Sequence, residues 1–266
     1  MYNTNYHRAS SVADAATLFG NGDDAKYLAG GMTLIATMKQ RLASPSDLVD
    51  IRHIGDLKGI SINGSTVRIG AGTSHFDVAN SADLRRVCRA ITDLAGMIGD
   101  PHVRHMGTMG GSVANNDPAA DYPSAVLALN ATIHTNMRSI AADDYFRGLF
   151  ETALEDGEII TAFEFEAPAK AGYAKFPNPA SRYAMTGVFV ARQANGDVRV
   201  AVTGAGSNGV FRHAGMEAAL KADWSPEAVA AQSVDASQMM SDIHGSSEYR
   251  ANLVKVMAKR AVVASG

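Results

Sequence analysis

Two short stretches constrain this chain more than any other feature: Ala29-Gly30-Gly31-Met32-Thr33 and Gly107-Thr108-Met109-Gly110-Gly111-Ser112. The first lies between a strand-like lead and the apolar run Leu34-Ile35-Ala36-Thr37-Met38. The second crosses Asn115-Asn116-Asp117-Pro118 and Asp121 before an apolar, helix-like segment begins at Tyr122. Glycine is needed at this density where the backbone takes φ > 0 or comes close to another group. Successive N–H groups that no side chain shields can form an anion-binding nest. The two stretches are therefore expected to face each other across one phosphate site. Valine at Gly110 or Gly111 should then block the phosphate and leave the fold intact.

The chain has 266 residues, 46% of them hydrophobic, enough to bury a core as one large domain or as several small lobes. A net charge of −3 gives no electrostatic reason for nucleic acid or an anionic membrane as a partner. Cys88 is the single cysteine, which excludes an internal disulfide and any cysteine-ligated iron–sulfur or zinc site held by this chain alone. The first residues show no basic segment followed by an apolar one, and no apolar run approaches the ~20 residues that span a bilayer. A cytoplasmic protein with no membrane insertion is expected.

Residues 1–57 are expected to form a first α/β lobe. Ser10-Ser11 caps a helix over residues 12–19, residues 25–29 form a strand into the first glycine stretch, a helix covers 33–42, and a buried strand covers 47–51. Residues 58–170 are expected to form a second lobe. It opens with a hairpin over 59–70 around an Asn63-Gly64 turn, and continues with helices over 76–81 and 83–94. The central glycine stretch follows as a loop, then a helix over 122–129, strands over 131–135 and 158–165, and a connecting helix over 141–150. The run Pro168-Ala169-Lys170-Ala171-Gly172 marks a boundary. Residues 171–266 carry three strand-like runs and then two helical ones, which predicts an antiparallel sheet with helices on one face.

Several patterns carry less than they suggest. Gly204-Ala205-Gly206-Ser207-Asn208-Gly209 matches the GxGxxG dinucleotide pattern, yet no second buried strand follows to supply the acid that a Rossmann unit requires. His102 and His105 sit in a stretch broken by proline and glycine, with no HExxH frame, and a role in shaping that loop is preferred over metal ligation. Arg104 could offset phosphate charge or be solvated. Cys88 lies on an apolar helix face, where packing is the expected role.

The segments AGGMTLIATMKQRLASPSDLVDI and GDPHVRHMGTMGGSVANNDPAADYPSAVLAL resemble the FAD-binding (medium) subunit of the molybdenum hydroxylases, a group that includes carbon monoxide dehydrogenase and xanthine dehydrogenase. The GAGTSH run ending at His75 and the stretch over residues 173–190 also look like that family. The resemblance implies an α+β fold: a two-lobed FAD-binding domain, similar to that of vanillyl-alcohol oxidase, followed by a C-terminal antiparallel sheet with helices. It implies pyrophosphate contacts at Ala29, Gly30, Gly31, Met32 and Thr33, and at Thr108, Gly110, Gly111 and Ser112. Asp121 matches a position that hydrogen-bonds FAD hydroxyls, although an aspartate there could instead cap the following helix. Tyr173 and Lys175 match positions near the flavin edge, where core packing is the alternative. Some relatives carry histidine after the first double glycine; this chain has Met32, which cannot bond flavin through nitrogen, so the FAD is expected to be non-covalent.

The implied function is that of an electron-transfer subunit of an oxidoreductase. Electrons would pass from 2Fe–2S clusters on a small partner through FAD to an external acceptor. A large partner would carry the molybdopterin cofactor, in a dimer of heterotrimers. A self-contained flavin oxidase of the same fold and a non-catalytic nucleotide-binding scaffold are the alternatives. The third lobe, with Trp224 as its single tryptophan, looks small for an oxidase substrate lobe.

Overall fold

The computed structural model describes residues 1–266. The N-terminal part is a parallel three-stranded sheet. It contains β1 (Asn5–Arg8), α1 (Val12–Gly20), β2 (Ala25–Leu28), α2 (Leu34–Lys39) and β3 (Asp47–Asp50), with β3 between β1 and β2. Ser11 caps α1 by accepting from the Asp14 N–H at 3.1 Å, and the Asp14 carboxylate accepts in return from the Ser10 N–H at 2.8 Å. Strand β1 has no sequence signature. It is short and mostly exposed, and only its parallel pairing with β3 makes it a strand. Helix α2 is shorter than the expected 33–42, because Arg41 turns to φ 60°.

The central part is a five-stranded antiparallel sheet. After β4 (Ile60–Asn63) and β5 (Thr66–Gly70) come six helices: α3 (His75–Asn80), α4 (Ala82–Val87), α5 (Arg89–Gly96), α6 (Pro101–Met106), α7 (Met109–Asn115) and α8 (Tyr122–Ala128). Strands β6 (Thr132–Thr135) and β7 (Ser139–Ala141), the short helix α9 (Ala142–Tyr145), the small hairpin β8 (Phe146–Gly148) and β9 (Glu151–Thr152), and β10 (Ile160–Glu166) complete it, in the order β4-β5-β10-β6-β7.

Four expectations change here. The first hairpin turns on Gly64-Ser65 rather than Asn63-Gly64: Asn63 pairs with Thr66, and Gly64 alone takes positive φ, at 61°, as a II′-type turn requires. The helix expected over 83–94 breaks at Cys88, whose backbone leaves the helical region at φ −153°, ψ 79°. The helix expected over 141–150 is only α9, because the chain then enters the β8–β9 hairpin. The central glycine stretch is not a loop. Asp100 caps α6 ahead of Pro101 at its first turn, and Thr108 caps α7, so capping residues make two helices of it.

The C-terminal part is the antiparallel meander β11 (Lys170–Pro177), β12 (Ala184–Arg192), β13 (Val198–Thr203) and β14 (Phe211–Arg212), with α10 (Ala214–Ala222), α11 (Pro226–Ala230) and α12 (Ser247–Ala264). One face of this sheet, with Val188, Val190, Val200 and Val202, packs on Met216, Leu220, Val254 and Met257 of α10 and α12. The opposite face is not open, as helices on one face alone would leave it. Tyr173, Phe189, Ala191 and Ala201 join the core of the central part, which includes Ile91 and Leu94 of α5 and Tyr122, Ala125 and Val126 of α8. Period-two alternation with both faces apolar buries β12 along almost its whole length.

Candidate functional site: a cleft between the first two sheets

A cavity of about 1120 Å³ runs between the parallel sheet and the central sheet. That is at or beyond the upper end of the ~300–1,000 Å³ typical of small-molecule sites, so an occupant of dinucleotide size fits. Both glycine stretches line it. They also touch each other: a Cβ on Gly30 would lie 2.3 Å from the Met106 carbonyl oxygen and 2.6 Å from Gly107 Cα. Ala29 Cβ lies 3.7 Å from where a Gly111 Cβ would be.

The two stretches contribute different chemistry. In the first, Gly31 takes φ 72°, and the N–H groups of Gly30, Gly31, Met32 and Thr33 have no partner within the chain. This segment can solvate an anion. In the second, no glycine takes positive φ, and the donors from Met109 to Ser112 are engaged, which leaves only the Thr108 N–H without a partner. Met109 N donates to Thr73 O at 3.1 Å, Gly110 N to Ala71 O at 2.8 Å, Gly111 N to Thr108 Oγ1 at 3.1 Å, and Ser112 N to Thr108 O at 3.0 Å. The expectation of two matching nests is corrected by these bonds. What α7 offers instead is its dipole, the Ser112 hydroxyl and a surface without side chains at Gly111. Gly110 serves packing: its Cβ would lie 2.6 Å from Ala71 Cβ and 2.7 Å from Ala71 O. Valine there would wedge α7 off β5, so an intact fold is now expected for a substitution at Gly111 only.

Asp121 lies at the inner wall of the cleft and is buried. It occupies the N-cap position of α8, but its backbone is already helical (φ −76°, ψ −47°) and its side chain caps nothing. Instead the Tyr173 hydroxyl donates to Asp121 Oδ1, and Lys175 Nζ donates to Oδ2 at 3.0 Å and to Met97 O at 3.0 Å. Tyr173 and Lys175 therefore stand behind Asp121 and do not line the cleft; the other ten residues expected at the site do. Burial pushes the Asp121 carboxyl up from the usual carboxylate range, while the Lys175 ammonium and the Tyr173 hydroxyl pull it down. Of the residues with open alternatives, Arg104 donates to the Ile98 and Gly99 carbonyls, at 2.9 and 3.0 Å, and so ties the turn before α6. His105 stacks on Phe76 with ring centroids 4.0 Å apart.

Residues that the sequence did not single out as site residues also line the cleft, among them Arg52, and also His75, Arg182 and Tyr183, which lie in or at the end of the family-like runs. Arg52 is held by Asp50 through three side-chain hydrogen bonds, the shortest 2.7 Å. His75 is buried with its ring 5.4 Å from that of Tyr122, and its Nδ1 has no partner. Burial, with a smaller push from Arg104, lowers His75 to about 4. A base with a depressed folded-state value loses native stability as pH falls from its unfolded value near 6.5 towards 4. His75→Gln is expected to remove most of that acid-side loss, about 3 kcal/mol at full titration. Urea denaturation at pH 7 and pH 4.5 measures it, and an unchanged difference between the two pH values would show that His75 is not the group responsible.

A large cleft between two small sheets, with a glycine loop of free N–H donors on one wall and a glycine-bearing helix start on the other, defines a dinucleotide-binding protein. Residues 2–167 match the family described as the FAD binding domain in molybdopterin dehydrogenase. The chain is 37% identical to the carbon monoxide dehydrogenase medium chain of Afipia carboxidovorans, over 97% of this chain and 94% of that one. It is 34% identical to the nicotine 6-hydroxylase medium subunit of Paenarthrobacter nicotinovorans, over 98% and 96%. Its fold matches that of a chain in reconstituted CO dehydrogenase from Oligotropha carboxidovorans, with TM-score 0.89, 33% identity, and 99% and 97% of the two chains covered. The chain belongs to the FAD-binding domain family of the molybdopterin dehydrogenases, and its homologues are the medium, FAD-binding subunits of molybdenum-containing oxidoreductases. No helix is long and apolar enough to cross a membrane.

Proposed function

We propose that this chain is the electron-transfer flavoprotein of a cytoplasmic molybdenum hydroxylase, holding one FAD non-covalently in the cleft. The observation that carries the proposal is the direct contact of the two glycine stretches at Gly30 and Gly107 within one dinucleotide-sized cavity. Residues 1–57 and 58–170 are the two cofactor-holding lobes, and 171–266 is the third. Ala29, Gly30, Gly31, Met32 and Thr33 supply N–H donors and a hydroxyl to the pyrophosphate from one side. Thr108, Gly111 and Ser112 supply a close approach, a helix start and a hydroxyl from the other, and Gly110 seats that helix start against Ala71. Asp121, held by Tyr173 and Lys175, accepts from cofactor hydroxyls.

Bound FAD supplies the redox chemistry, because it exchanges electrons singly or in pairs. The protein's part is to hold the ring system in place, exclude water along the cleft and fix the charge of Asp121 beside it. The relatives are chains of multi-subunit enzymes, and the single cysteine of this chain cannot ligate a cluster. The family resemblance supplies the rest of this reading: electrons come from a small 2Fe–2S subunit that draws on a large molybdopterin subunit, in a dimer of heterotrimers. They leave to an external acceptor.

The test is to purify the assembled complex, denature it by heat and chromatograph the chromophore. FAD free in the supernatant is the expected result. Flavin that stays on the polypeptide would rule out non-covalent binding. A complex that takes up no flavin when FAD is supplied would overturn the cleft assignment.

A further inference from the structure

The segment from Pro118 to Asp121 brings Ala120 and Asp121 to the cleft wall, yet almost none of what fixes it comes from the two sheets that enclose the cleft. Thr203 Oγ1 at the end of β13 donates to Ala120 O at 2.6 Å, with Pro118 O a second acceptor 3.2 Å away. Gly204 N donates to Pro118 O at 2.8 Å, and Ala184 N at the start of β12 donates to Ala119 O at 3.3 Å. Strand β11 supplies Tyr173 and Lys175 to the Asp121 carboxylate. Three neighbouring strands of the C-terminal sheet thus grip four consecutive residues. Thr203 is fully buried, so its hydroxyl has no solvent to turn to.

The Tyr173 hydroxyl reaches Asp121 only because β12 makes room for it. A Cβ on Gly187 would lie 2.5 Å from Tyr173 Oη; the next contact, Thr203 Cγ2 at 3.0 Å, is softer. Gly187 pairs with Lys175 on one side and with Thr203 on the other. It needs no unusual backbone angle, so the missing side chain is its purpose here. The first glycine of the GxGxxG run has a comparable use. Gly204 takes φ 79°, and its Cβ would lie 2.2 Å from Ala184 O, so the pattern that suggests a nucleotide fingerprint is a tight crossing at the strand ends.

We propose that Gly187 and Thr203 are positioning residues for the cofactor cleft: Gly187 seats the Tyr173 hydroxyl against Asp121, and Thr203 fixes the Pro118–Ala120 backbone that carries it. The proposal rests on the assignment of Asp121 to FAD given above. The C-terminal sheet then sets the geometry of a site that its strands do not line and that only its β11–β12 connection reaches.

The experiment measures FAD affinity and the visible circular dichroism of the bound flavin, on the assembled complex stripped of FAD and titrated by fluorescence quenching. Asp121→Asn tests the underlying assignment and is expected to weaken FAD about tenfold. Gly187→Ala, by displacing the hydroxyl, is expected to weaken FAD by about the same factor and to change the dichroism. Tyr173→Phe alone weakens binding less, and Gly187→Ala with Tyr173→Phe binds as well as Tyr173→Phe, because the atom in conflict is gone. Unchanged affinity in Asp121→Asn overturns the assignment of Asp121. Normal sensitivity to Asp121→Asn, together with Gly187→Ala and Tyr173→Phe effects that simply multiply, overturns the positioning role of Gly187. Should Gly187→Ala fail to assemble, Thr203→Val decides: it keeps the shape and removes the hydroxyl, and unchanged affinity and dichroism there refute the proposal.

Discussion

Alanine in place of Gly30 is expected to abolish FAD retention and lower the melting temperature, whereas valine in place of Gly111 should abolish retention with the fold nearly unchanged. The added Cβ at residue 30 would meet backbone on the facing segment, the Met106 carbonyl at 2.3 Å and Gly107 Cα at 2.6 Å. Backbone cannot rotate away, so the contact opens instead. Overpacking of this kind costs ~1–3 kcal/mol, which corresponds to several degrees in a chain of this length. It also separates the donors at residues 30–33 from Thr108 and Ser112. At Gly111 the nearest atoms to an added Cβ are Thr108 Oγ1 at 2.9 Å and Ala29 Cβ at 3.7 Å. A valine there disturbs one cap, about 1 kcal/mol, and projects into the space assigned to the pyrophosphate. Flavin content per protein and thermal melting, measured on both variants, separate the two effects. Full flavin occupancy in Gly111→Val would falsify the pyrophosphate placement, and an unshifted melting temperature in Gly30→Ala would show that the two stretches are not in contact.

Lys175→Met should cost about 3–5 kcal/mol near neutral pH, since it leaves the buried Asp121 carboxylate without its cation. Methionine matches the lysine stem in length, so the loss is mainly one of charge. The sign of the pH dependence identifies the cause. Burial already favours the neutral form of Asp121, and removal of Lys175 takes away the main opposing influence. With a folded-state value above the unfolded one near 4, the penalty is absent below the unfolded value and grows as pH rises through the folded one. The variant is therefore expected to approach native stability on acidification from pH 8 to pH 5, the reverse of ordinary acid destabilisation. Adding Asp121→Asn to Lys175→Met should recover most of the loss at neutral pH. A deficit of equal size at both pH values, or no recovery in the double variant, would mean that Lys175 acts through packing alone.

The elements that the sequence disclosed are those whose signal is local. Serine before an apolar period gave α1, alternation around a glycine turn gave β4 and β5, and the valine-rich runs gave β12 and β13. Strand β1 escaped because its four residues are strand only through pairing with β3, 42 positions away. The break at Cys88 escaped because an amphipathic period continues across it on both sides. Helices α6 and α7 were legible in principle from Asp100-Pro101 and Thr108, but the density of glycine masked their caps.

The site divides along the same line. Sequence alone determined that two glycine stretches had to be served by one fold, that Met32 offers no nitrogen for a covalent link, and that no cluster could be ligated by this chain. The family resemblance put Asp121, Tyr173 and Lys175 near the cofactor. Only the tertiary structure decided that the N–H donors of the first stretch are free while those from Met109 to Ser112 in the second are bonded, because hydrogen-bond satisfaction depends on Thr73 and Ala71 at the end of β5 and on Thr108. It likewise decided that Gly110 is there for Ala71, that Tyr173 and Lys175 stand behind Asp121, and that the C-terminal sheet holds the wall of a cleft formed by the other two. Glycine in a sequence announces a close approach or an unusual backbone angle; which of the two it serves, and against what, is fixed by residues far away along the chain.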